Sequence, residues 1–204
     1  MTTEHLATWY FRLNGFFTIT NFVLHPARRG PQRTDADIVG VRFPYRSEFP
    51  DPPGGDEREF TRITNKPYLV IAEVKRGLCQ LNGPWTDSAK ENIHAVLRDL
   101  GPFPQERVEE AVRALYRQGI FDCDELYCSL FCVGEAANPV VRSRYPAVPQ
   151  GTWEEVLRFV FERFQTYHNR KADHNSWDKV GKGLWDLWRG TTQEQFVQIV
   201  RERI

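Results

Sequence analysis

The stretch "YLVIAEVKRG", residues 68–77, decides how this chain is read. Tyr68 to Ala72 form an unbroken apolar run, the composition of a buried strand. The run then carries Glu73 and Lys75, two charges that are costly at the end of such a strand unless they are paired or used. Side chains alternate across a strand, so Glu73 and Lys75 share one face while Ala72 and Val74 share the other. Of the six lysines in the chain, only Lys75 has an acid two residues before it, so the pairing is specific to this strand.

A second carboxylate would give the charges a common purpose. "DIVGVRF", residues 37–43, reads as another strand and begins with Asp37. If it pairs antiparallel with 68–75, with the intervening segment as a long hairpin, Asp37 and Glu73 meet at the same end of the sheet. Two neighbouring carboxylates repel, which raises at least one pKa unless a cation intervenes. Magnesium takes hard oxygen ligands, typically one or two carboxylates completed by water and substrate phosphate. A lysine beside it would orient an attacking water and offset charge building on a phosphate. The combination is that of metal-assisted phosphodiester hydrolysis. The alternative is plainer: a solvent-exposed Glu73–Lys75 pair, with Asp37 as a turn residue.

The rest of the chain supplies a frame. Leu6, Trp9, Tyr10 and Leu13 recur at helical spacing, and Asn14-Gly15 stops that helix. Residues 16–25, "FFTITNFVLH", read as a strand. Residues 44–67 hold five prolines and two glycines, a long loop of the kind that is usually functional or poorly ordered. Helices are expected at 87–100 and 105–118, and a strand at 125–134. A loop follows to residue 151. Thr152 with Glu155 is a capping-box pattern opening a further helix. "DKVGKG" reads as a break before the aromatic "LWDLW", and a last helix covers 192–202. This order predicts an α/β protein with a central mixed β-sheet flanked by helices and a helical C-terminal extension.

The helix, the strand, "DADIVGV", the further strand and "IAEVK" together resemble the PD-(D/E)xK nuclease superfamily. The resemblance covers residues 1–135 and leaves 136–204 as an aromatic-rich extension packed on that core. It implies a restriction-endonuclease-like αβββαβ core and a Mg2+- or Mn2+-dependent endonuclease. Asp37 and Glu73 would be its metal-binding acids, and Lys75 would complete the catalytic set. Glu4 on the first helix and a polar residue after the lysine strand, Gln80 or Asn82, match accessory positions of some branches. The position before Asp37 is Ala36 rather than proline, and Asp35 is a competing acid. A catalytically inactive module of the same fold, binding nucleic acid or protein, is the alternative function.

Composition sets outer limits. Acids and bases balance at 27 each, so nucleic acid, with DNA the expected partner, would have to be held by a local patch rather than a global field. Arg28, Arg29, Arg33, Arg42, Arg46 and Arg76 crowd the sequence around the proposed site and are candidates for phosphate contacts; a solvated loop is the other reading. A hydrophobic content of 41% suits a globular domain. Nothing approaches a membrane span or a signal peptide. Cys79, Cys123, Cys128 and Cys132 contain no CxxC pair, which favours buried thiols and a reduced, cytoplasmic setting over zinc. His168 and His174, six apart, lack the spacing of a helical metal pair. Trp153, Trp177, Trp185 and Trp188 fit a core or a homodimer interface at least as well as a base-stacking surface.

Overall fold

Helix α1, Thr3–Leu13, begins where the Thr2 hydroxyl accepts the His5 backbone N–H, and it stops at Asn14 and Gly15. Gly15 takes a φ of 84°, the left-handed conformation that favours glycine. The computed structural model describes residues 1–24, 34–46, 55–169 and 177–204. Strands β1 (Phe17–Leu24), β2 (Thr34–Arg42) and β3 (Tyr68–Val74) follow as an antiparallel succession. The chain then passes through α3 (Gly83–Thr86, after the short α2 at Arg58–Thr61), α4 (Asn92–Leu100) and α5 (Gln105–Gln118). It returns through β4 (Ile120–Asp122) to β5 (Tyr127–Gly134), which lies parallel to β3. Helix α6 (Pro139–Arg144) and strand β6 (Gln150–Thr152) precede α7 (Trp153–Tyr167), α8 (Lys179–Trp188) and α9 (Gln193–Arg201).

The result is an α/β architecture with a six-stranded mixed sheet of order β1-β2-β3-β5-β4. β4 pairs with the start of β5, and β6 with its end. Every residue of β3 and β5 is buried, because helices cover both faces of the sheet. On one face, α1 shares an apolar cluster with α7, α8 and α9. On the other, α4 and α5 pack over Leu69, Ile71, Cys128 and Leu130. The C-terminal helices thus complete one side of the core, and their tryptophans are part of it.

Several local expectations needed correction. The single helix expected at 87–100 is broken at Glu91, whose φ of 52° separates a 3₁₀ turn at Ser88–Lys90 from α4. The expected break at "DKVGKG" is instead a helix start. The Asp178 side chain accepts the backbone N–H groups of Val180 and Gly181 at 3.0 and 2.8 Å. Gly181 is there for packing: a Cβ on it would lie 1.9 Å from Cζ2 of Trp9. The loop expected before residue 151 contains α6 and the first residues of β6.

A kink in the first two strands bears on function. Phe16 and Ile38 belong to the α1 side of the sheet, and Thr20 reaches Thr8 of α1 at 3.1 Å. Two residues further along β1, and two back along β2, strict alternation would keep Phe22 and Ala36 on that side. Both face the α4–α5 cluster instead. The switch occurs between the Thr20–Ile38 and Phe22–Ala36 pairs, at Asn21 on β1 and Asp37 on β2. Asn21 has a φ of 53°, a conformation that asparagine tolerates better than most residues because its short polar side chain bonds locally.

Candidate active site

β2 and β3 are hydrogen-bonded partners as far as Ile38 and Ala72. One step beyond, at Asp37 and Glu73, the ladder is replaced by a side chain: Oδ2 of Asp37 accepts the backbone N–H of Val74 at 2.7 Å. The kink at Asn21 therefore coincides with the point where the aspartate turns towards β3. This contact ties Asp37 to the residue between Glu73 and Lys75, so the three expected site residues stand together at the end of β3, with Asp37 inside β2 rather than at its expected start.

Glu73 is only 4% exposed, which removes the reading of a solvated strand-end pair. Its Oε1 accepts from Nζ of Lys75 and from Nδ2 of Asn82. Its Oε2 accepts the indole N–H of Trp85 at 2.6 Å. Burial raises the Glu73 pKa, with the hydrogen bond from Lys75 opposing and the charge of Asp37 adding to the rise. Burial likewise raises Asp37; the Val74 N–H and Lys75 pull it down, while Glu4 and Asp35 push it up. Two acids whose pKa values are both raised by burial, with the charge of Asp37 adding to the rise in Glu73, have the electrostatics of a site that gains by taking up a cation.

Lys75 is fixed through its backbone. Its N–H donates to the Val133 carbonyl of β5 at 2.8 Å, and its own carbonyl accepts the indole N–H of Trp153 at 3.0 Å. Trp153 opens α7, so a C-terminal helix buttresses the lysine. The Lys75 side chain retains partial exposure, which leaves it access to solvent.

The accessory residues divide. Glu4, in the first turn of α1, is near enough for its charge to raise Asp37. Against the upward pull of burial, hydrogen bonds from its own backbone, Thr2 and Thr3 hold the Glu4 carboxyl below its ordinary range. Gln80 is exposed, and Asn82 is the residue that reaches Glu73. Arg76 is exposed beside Lys75. Arg28, Arg29 and Arg33 lie outside the described residues, as does His174.

Arg42 and Arg46 are spent elsewhere. Arg42 is 4% exposed, donates to the Asn14 carbonyl at 3.0 Å and pairs with Asp56 at 2.9 Å. Arg46 reaches the same carboxylate at 2.7 Å, and Arg163 of α7 closes the group from the opposite side. This knot lies five residues from Asp37 along β2, about 17 Å at strand rise. It pins residue 56 of the long loop to the core, and neither Arg42 nor Arg46 serves a phosphate at the site.

Cys79, Cys128 and Cys132 are fully buried free thiols. Burial pushes Cys79 up to about 11. Among the described residues no group of three or more His, Cys, Asp or Glu side chains is arranged to hold a metal ion. A cation at Asp37 and Glu73 would draw its remaining ligands from water, backbone or substrate. Neither a protein-family model, nor a curated protein, nor a solved structure matches this chain.

Proposed function

We propose that this protein is a metal-dependent nuclease of the PD-(D/E)xK type, cleaving phosphodiester bonds of DNA or RNA with Mg2+ or Mn2+. The observation that carries the reading is the hydrogen bond from Val74 N–H to Asp37, which joins an aspartate to the strand end bearing Glu73 and Lys75. The succession α1, β1, β2, β3, then helices and β5 parallel to β3, supports a restriction-endonuclease-like core.

The donor set fits a hard divalent cation. Both acids are carboxylates, both are pushed towards protonation by burial, and Asp37 adds to the rise in Glu73. Each also keeps acceptor capacity, since Oε2 of Glu73 and Oδ2 of Asp37 take one donor apiece. When bound, the cation would polarise the scissile phosphate and an attacking water. Asp37 and Glu73 would hold and orient it. Lys75 would position the water and stabilise charge on the phosphate oxygens. Glu4 adds negative charge at the margin of the site, and exposed Arg76 stands ready for a phosphate.

The test is incubation of purified protein with single- and double-stranded DNA and with RNA, with Mg2+, with Mn2+ and with chelator. Cleavage in either metal that disappears with chelator supports the reading; no cleavage of any substrate counts against it.

A second reading is favoured by one observation. Glu73 is buried and both of its oxygens already have protein donors, an arrangement that would also suit an inactive binding scaffold on the same fold. Such a scaffold would show no change in melting temperature on adding Mg2+ or Mn2+.

A further inference from the structure

The chain leaving Lys75 first runs on in parallel beside the segment that follows β5. Cys79 N–H donates to the Ala136 carbonyl at 2.9 Å, and Leu78 bridges to Ala136. Gly134 permits this approach, because a Cβ there would lie 2.6 Å from the Gly77 carbonyl oxygen. Beyond Cys79 the chain turns and brings Asn82 and then Trp85 onto Glu73. Trp85 is 1% exposed, and its ring is packed in the α4–α5 apolar cluster, so the indole N–H has a fixed direction.

Three donors therefore meet one carboxylate, and they are held differently. The Lys75 side chain is partly exposed; Asn82 and Trp85 follow the segment that Cys79 ties to Ala136, and Trp85 is buried. Lys75 and Asn82 share Oε1, and Trp85 holds Oε2 alone. We propose that Asn82 and Trp85 are positioning residues that hold the Glu73 carboxylate in place independently of Lys75. The lysine can then leave for water and phosphate without abandoning a buried, unpaired acid. This rests on the metal-site reading above and adds that the orientation of Glu73 comes from the loop after Lys75 rather than from the lysine.

The experiment measures Mn2+ affinity by calorimetry and by electron paramagnetic resonance in the wild type, Trp85→Phe, Asn82→Ala and Lys75→Ala. Outer partners of a metal-binding carboxylate typically govern 10–100-fold in affinity. Trp85→Phe and Asn82→Ala should each weaken Mn2+ binding by about 10-fold or more. Lys75→Ala should retain Mn2+ affinity and lose cleavage. Unchanged affinity in both Trp85→Phe and Asn82→Ala overturns the inference while leaving the metal site standing. A wild type that binds no Mn2+ overturns both. Should Trp85→Phe fail to fold, judged by circular dichroism, Asn82→Ala alone decides, since Asn82 contributes no ring to the core.

Discussion

Oδ2 of Asp37 and the backbone N–H of Val74 are 2.7 Å apart, so a side chain of one strand completes the hydrogen bonding of the next at the point where their ladder ends. The contact holds an acid beside Glu73 in a place where burial, the largest cause, pushes both carboxyls up at a cost to their charged forms. That cost predicts how stability depends on pH and metal.

An acid whose folded pKa is raised binds more protons folded than unfolded. Its contribution to stability therefore falls as pH rises from the ordinary carboxylate range through the raised folded value. Asp37→Asn keeps an acceptor for Val74 N–H and removes the charge. Without metal it should melt higher than wild type at neutral pH, by about 2–4 °C per kcal/mol released in a chain of this size, and the difference should vanish in acid. Added Mg2+ should raise the wild-type melting temperature and leave Asp37→Asn nearly unmoved. A thermal melt series from acid to neutral pH, with and without Mg2+, checks both statements.

Lys75→Ala separates binding from chemistry. Asn82 and Trp85 remain on Glu73, so the fold and the acid should persist. Cleavage should fall by about 10²–10³, the size of effect seen when a donor to developing negative charge is removed. Single-turnover rates at saturating metal measure it.

Asp56→Ala should be the most damaging of these substitutions to stability. It leaves Arg42, Arg46 and Arg163 without their shared carboxylate, and breaking a buried ion pair from one side costs about 3–5 kcal/mol. Burial raises the Asp56 pKa, but the three arginines outweigh it and hold the carboxyl below its ordinary range. Its stabilisation is thus present above the unfolded pKa and lost as pH falls through the depressed folded value. Urea unfolding at neutral pH should show a large loss in Asp56→Ala, shrinking towards acid.

Gly181→Ala would place a methyl against Trp9. Overpacking of this kind typically costs about 1–3 kcal/mol. Urea midpoints should drop accordingly, and a Trp9→Leu background should relieve part of the loss.

What the sequence made legible follows the reach of local physics. The apolar runs of β3 and β5 and the amphipathic α5 and α7 declare themselves through periodicity, and the antiparallel pairing of β2 with β3 sufficed to bring Asp37 to Glu73 and Lys75. Strands β4 and β6, three residues each, are too short to show alternation. Arg42 and Arg46 read as phosphate ligands because their true partner, Asp56, is supplied by the fold. Trp85 was equally hidden, since its meeting with Glu73 depends on the turn of the chain beyond Cys79. The kink at Asn21 did leave a trace: an asparagine, poorly suited to strands, inside a run of aromatic and β-branched residues.

The most direct test of the account compares wild type with Glu73→Ala on single- and double-stranded DNA and RNA in Mn2+. The account predicts that wild type cleaves at least one substrate, that chelator stops it, and that Glu73→Ala is folded yet inactive. Equal cleavage by a folded Glu73→Ala protein would contradict it.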